Sequence, residues 1–208
     1  MPYNREDFIM KIAIFGGTFD PVHNGHVKIV QTILDGKYSD RVLVLPAWEP
    51  PHKNSVRTPY QHRLKMAELA FSGIKNVEVS DMESKWQFEP SYSFKVLSAF
   101  AELYPGDRIQ MIIGGDSLKN FASWYKPREL AENFEFLIYP RSGEECDFST
   151  LAAIAGEKNA EKMRSNIVNA PFFEISSTIL RKKLANCENT ANFISETVLN
   201  YIREKKLY

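Results

Sequence analysis

Apolar residues recur along this chain in two rhythms. Short runs such as 11–15, 41–46 and 108–113 are apolar almost throughout, the pattern of strands covered on both faces. Between them stand longer stretches with apolar residues every three or four positions. Val27, Ile29, Val30, Ile33 and Leu34 are one such set and fit a single helical face. Further strands are predicted over 76–80 and 135–139. A helix is predicted from Thr58 to about Gly73, with Thr58 as N-cap, Pro59 in the first turn and Gln61 in the capping-box position. Another covers 94–104, with Ser91 or Ser93 as its cap. A third opens at 176–178, and 192–208 reads as an amphipathic helix with Phe193, Val198, Leu199 and Ile202 inward. The stretch 144–170 is polar and weakly periodic. It predicts one helix near 150–155 within a surface excursion. Five strands alternating with helices predict an α/β fold, a doubly wound parallel sheet, in one domain over 1–208.

Composition narrows the class. A chain of 208 residues can bury roughly 70% of its unfolded surface and needs no covalent staple. Two cysteines, Cys146 and Cys187, make no disulfide framework and sit in no metal-ligand pattern. With 26 basic and 26 acidic residues there is no electrostatic case for nucleic acid or an anionic membrane. No apolar run approaches the roughly 18 residues of a membrane span. The first residues are too polar and acidic for a signal peptide. The expectation is a soluble, cytoplasmic protein.

Candidate chemistry gathers where the first strand meets the first helix. The string there is Gly16-Gly17-Thr18-Phe19-Asp20-Pro21-Val22-His23-Asn24-Gly25-His26. In an open α/β sheet such a junction lies at the carboxyl edge of the strands, where ligands bind. Glycines without a Cβ let an anion approach backbone N–H groups, and the following helix start adds a positive dipole end. His23 and His26, three residues apart, point to one side of a first helical turn, and Gly25 between them leaves room for a ligand. Two imidazoles beside a polyphosphate could be held protonated and stabilise charge developing in a transition state. The string is neither a dinucleotide fingerprint nor a P-loop.

Other segments admit two readings each. Lys53, after the second strand, is a phosphate contact or an ordinary solvated lysine. Asp116 accepts from a ribose hydroxyl pair or caps a helix, and Trp124 stacks on a heterocycle or fills a core. Ser176-Ser177-Thr178 with Arg181 is a helix cap or a second phosphate cradle.

The eleven-residue string resembles the signature of nucleotidyltransferases with the His-x-Gly-His motif, and more narrowly that of bacterial nicotinate-nucleotide adenylyltransferases. Pro50-Pro51-His52-Lys53, Ser91-Tyr92-Ser93, Gly114-Gly115-Asp116-Ser117 with Trp124, and Ile175-Ser176-Ser177-Thr178 with Arg181 are similar to further segments of that family. The resemblance implies a Rossmann-like sheet of order 3-2-1-4-5, with 175–208 as a small helical C-terminal part. It implies adenylyl transfer from ATP to nicotinate mononucleotide, giving deamido-NAD and pyrophosphate, with Mg²⁺ brought by ATP. On that pattern His23, His26 and Arg181 serve catalysis. Gly16, Gly17, Thr18, Phe19, Gly114, Asp116, Ser177, Thr178 and Arg181 bind ATP. Lys53, Tyr92, Ser93 and Trp124 bind the mononucleotide. A homo-oligomer is compatible with it. The chain departs from the pattern in having Ser93 where the family often has threonine. It also carries Trp86, Gln87 and Phe88 where an arginine is often found. Rival readings are a transferase acting on another acceptor, such as phosphopantetheine, and a nucleotide-binding regulatory module that does no chemistry.

Overall fold

Alternation along the central strands explains the layers. In β1 (Lys11–Gly17), Ile12 and Ile14 belong to one buried cluster, while Ala13 and Phe15 belong to another on the opposite face. β2 (Arg41–Pro46) divides in the same way, Leu43 and Leu45 against Val42 and Val44. A strand apolar on both faces needs cover on both. In this computed structural model, which describes residues 9–50, 58–140, 146–169 and 175–208, helices supply that cover.

With β3 (Val77–Val79), β4 (Arg108–Gly114) and β5 (Glu135–Tyr139), these strands form one sheet in the order β3-β2-β1-β4-β5, every pair parallel. On one face lie α1 (Asn24–Asp35), α2 (Tyr60–Phe71), α8 (Ser177–Ala185) and α9 (Glu196–Glu204). The other face carries α4 (Ser93–Leu103), a 3-10 helix (Gly115–Ser123) and α5 (Pro127–Asn133). It also carries α6 (Ser149–Ala155) and α7 (Glu157–Arg164). A five-residue helix, α3 (Met82–Trp86), follows β3. The sheet reverses direction of growth at β1, between β2 and β4, so a crevice opens beyond Gly17 and Gly114.

Three local expectations are corrected. Thr58 does not cap α2: the N-cap is Pro59, with no side-chain bond to the helix start. Neither serine caps α4, whose N-cap is Tyr92; the Ser91 hydroxyl accepts from the Glu49 N–H at 3.1 Å instead. The stretch after 146 is no surface excursion. Leu151, Ala155, Ala160 and Met163 from α6 and α7 are buried in the core. Val168 N–H then donates to Ile138 at 2.8 Å, extending the edge beside β5. The weak periodicity came from short helices that each bury only two residues. No helix of the described residues is long and apolar enough to cross a membrane.

Candidate active site

The loop from Thr18 to His23 is largely buried and includes two buried polar side chains, Asp20 and His23. Asp20 is only 2% exposed, and the preceding Phe19 sits at φ +51°, a left-handed backbone that non-glycine residues seldom adopt. Gly17 explains how that is tolerated: a Cβ there would lie 2.9 Å from the Phe19 ring. At Gly16 a Cβ would meet nothing closer than Met111 Cε at 3.8 Å. The missing side chain at 17 therefore accommodates the protein's own phenyl ring. For Gly25 the expectation is corrected. The space a Cβ would fill there lies 3.0 Å from the His23 ring, so this glycine makes room for His23 and not for a ligand.

His23 is the N-cap of α1 and His26 its third residue, and the two rings do share one side. They stack with centroids 3.7 Å apart and planes at 22°, and Phe19 meets the His26 ring edge-on at 5.0 Å. His26 Nδ1 accepts the His23 backbone N–H at 3.1 Å. A ring that accepts at Nδ1 carries its proton on Nε2, so His26 can donate to a phosphate oxygen while neutral. Two imidazolium ions stacked this closely would repel each other. Donation from a neutral His26 therefore does not require the protonation expected of the pair beside a polyphosphate.

Facing this pair is the start of α8. Ser176 Oγ accepts from the Ile179 N–H at 3.3 Å and is the helix cap. Ser177 Oγ donates to the Pro21 carbonyl at 2.9 Å. Arg181 donates to the Asp20 carbonyl at 2.7 Å and to Thr178 Oγ1 at 3.2 Å. A cavity of about 540 Å³ is bounded by His23, His26, Ser177, Thr178 and Arg181 on one side and by Gly114, Asp116 and Trp124 on the other. Gly16, Gly17, Thr18 and Phe19 line it too.

A second cavity, of about 590 Å³, adjoins it and is lined by Ser91, Tyr92, Ser93, Glu83 and Tyr125. The two share Gly16, Gly17, Met111, Asp116, Ser117 and Trp124, so these residues stand where the cavities meet. The Tyr92 ring stacks on Tyr125 at 4.8 Å, and Trp124 stacks on Phe121 at 5.2 Å. Tyr92 cannot offer its backbone N–H, which is committed to the Pro90 carbonyl at 2.8 Å. The donors at this helix start begin at Ser93, the first residue of α4. Lys53 lies outside the described residues.

Two buried ionisable side chains were not singled out in the sequence: Glu83, in the wall of the second cavity, and Arg63, behind the Thr18 backbone. Glu83 is 4% exposed, and its Oε2 accepts the Trp48 N–H at 2.8 Å. Burial pushes its carboxyl up to about 7, against the opposing pull of hydrogen bonds and Arg63. Arg63 is 2% exposed and donates to the carbonyls of Thr58 and Thr18, at 3.1 and 2.9 Å. Burial lowers its pKa, while the Asp20 carboxylate opposes that shift. In sequence both look like charges on solvated helix faces.

The sequence profile of the cytidylyltransferase-like family matches residues 14–183, which span both candidate phosphate segments. The chain belongs to that family. The nucleotidyltransferase is 34% identical over 203 residues to the nicotinate-nucleotide adenylyltransferase of Bacillus subtilis strain 168, covering 95% of this chain and 98% of the relative. Among solved structures it resembles a Plasmodium falciparum nicotinic acid mononucleotide adenylyltransferase complexed with NaAD. The TM-score is 0.75 at 20% identity, over 96% of this chain and 97% of that one. The same parasite enzyme complexed with APC gives a TM-score of 0.73. At such identities the likeness speaks for the fold of the transferase.

Proposed function

We propose that this enzyme transfers the adenylyl group of ATP to nicotinate mononucleotide, releasing pyrophosphate and forming deamido-NAD. The observation that carries the reading is the pair of joined cavities. One is walled by imidazoles, helix-start hydroxyls and Arg181, and the other by stacked aromatics and the start of α4. Triphosphate suits the first and a pyridine ring with its carboxylate the second. The α-phosphorus would then lie near the shared residues Gly16, Gly17 and Asp116. The relatives' names support the choice of substrates.

The reaction needs no protein nucleophile. The mononucleotide phosphate attacks the α-phosphorus as pyrophosphate leaves, and the protein supplies position and charge stabilisation. His26, donating from Nε2, and His23 stabilise negative charge on the reacting phosphates. Arg181 and the hydroxyls of Ser177 and Thr178 receive the departing pyrophosphate. Asp116 accepts from the adenosine ribose, and Trp124 packs against the pyridine ring. Mg²⁺ enters with ATP on phosphate oxygens; the described residues hold no group of three or more His, Cys, Asp or Glu that could hold it unaided.

Among the described residues that line the 590 Å³ cavity the acidic ones are Glu83 and Asp116, and none is a lysine, arginine or histidine. Recognition of the acid over the amide is assigned to the N–H groups at the start of α4, whose Tyr92 and Ser93 line that cavity. Pyrophosphate release from Mg·ATP tests the reading, with nicotinate mononucleotide, its amide and phosphopantetheine offered in parallel. Release strongest with the acid is expected. Release with phosphopantetheine alone would overturn the acceptor, and ATP binding without release would favour a regulatory module.

A further inference from the structure

The loop that delivers the histidines is held almost entirely by residues far away in sequence. Arg181 donates to the Asp20 carbonyl and Ser177 to the Pro21 carbonyl. Asn24 donates from its backbone to Phe193 at 2.8 Å, and from its side chain to Asn192 at 3.1 Å. Tyr208, four residues past α9, donates its hydroxyl to Asp20 Oδ1 at 2.6 Å. The other carboxylate oxygen of Asp20 is buried and finds no donor among the described residues. Tyr208 is thus the one side chain among them that donates a hydrogen bond to this carboxyl.

We propose that Tyr208 is a positioning residue of the transfer site: its hydroxyl fixes Asp20, and through it the start of α1 that presents His23 and His26. The proposal rests on the adenylyl-transfer reading above. Phe19 at φ +51° shows that the loop does not relax into an ordinary backbone, so its shape depends on outside bonds. The other tie to Asp20 is less dependable during turnover. Arg181 also lines the phosphate cavity, and a guanidinium drawn to pyrophosphate competes with its own bond to the Asp20 carbonyl. Tyr208 does not line that cavity, so a bound phosphate does not compete directly for its hydroxyl. Burial and the bond to Asp20 raise its pKa, so it remains a phenol that can donate. Leu207 and the Tyr208 ring pack on the same apolar cluster as Phe19 and Val22, which sets the reach of the hydroxyl.

Tyr208→Phe keeps the ring and removes the donor. Its kcat is expected to fall about tenfold with both KM values within about twofold, because positioning acts on the transition state more than on ground-state binding. A second measurement stands apart from catalysis: the imidazole nitrogen resonances of the substrate-free protein. Those of His23 and His26 should shift in the variant. His62, bonded to the Tyr201 hydroxyl at 2.8 Å in the same helical region, should not. An unchanged kcat in an active enzyme, or unmoved resonances at His23 and His26, overturns the proposal. So does a joint shift of all three histidines with a fallen melting temperature, which would make Tyr208 a packing residue only. If the wild type transfers nothing to nicotinate mononucleotide, the substrate reading fails, and the imidazole resonances alone still decide whether Tyr208 anchors the loop.

Discussion

In the proposed reaction His26 serves as a donor because of what its other nitrogen does. With Nδ1 accepting the His23 N–H, the neutral ring offers Nε2–H, and no proton need be taken up before ATP binds. Replacing it by alanine should lower kcat about 100- to 1,000-fold, the range for losing one preorganised donor, with ATP affinity changed only a few-fold. Steady-state kinetics beside a direct ATP-binding titration checks the split. Glu83 gives the second prediction at this scale. Its folded pKa of about 7 lies above the ordinary carboxyl value of 4.5, so the native state holds the proton more tightly than the unfolded chain. That contribution to stability is complete below pH 4.5 and is lost as pH rises through 7, amounting to roughly 3 kcal/mol. Glu83→Gln keeps an acceptor for the Trp48 N–H and removes the titration. Urea melts of the pair should show the variant gaining on the wild type as pH rises from 5 to 8; a difference constant with pH would contradict the assignment. The histidine pair was legible in the sequence because its meaning lies in spacing. Glu83 and Arg63 were not, since their burial depends on which elements cover them.

Elements differ in how far local pattern determines them. β1, β2 and β4 were legible because a strand buried on both faces is apolar throughout, and tertiary packing only completes what the pattern demands. The starts of α2 and α4 were misread because capping residues are signals of position, not proof of a bond. Ser91 found a better partner in the Glu49 N–H across the cavity wall. The segment containing α6 and α7 was misread for a different reason. Each helix buries only two side chains, too few to print a period. Leu151 is nonetheless fully buried. Leu151→Ala should therefore cost about 2–5 kcal/mol, where an exposed excursion would cost under about 0.5. Equilibrium denaturation separates those values cleanly.

For the whole molecule, the order β3-β2-β1-β4-β5 places the reversal of the sheet between Gly17 and Gly114. Both cavities open at that point, so topology alone brings segments from 16–26, 91–93, 114–124 and 176–181 together. The part from α8 onward shares the apolar cluster of the sheet and holds the 20–24 loop from outside. Its amphipathic pattern announced the packing, whereas the hydroxyl of Tyr208 carries no sequence signal of its own. The proposed reaction is a direct transfer of the adenylyl group to nicotinate mononucleotide. The most direct test follows the label from α-phosphorus-labelled Mg·ATP after rapid quenching. All transferred label is expected in deamido-NAD, in step with pyrophosphate and with none on the protein. Label trapped on the protein, or none reaching the mononucleotide, would contradict it.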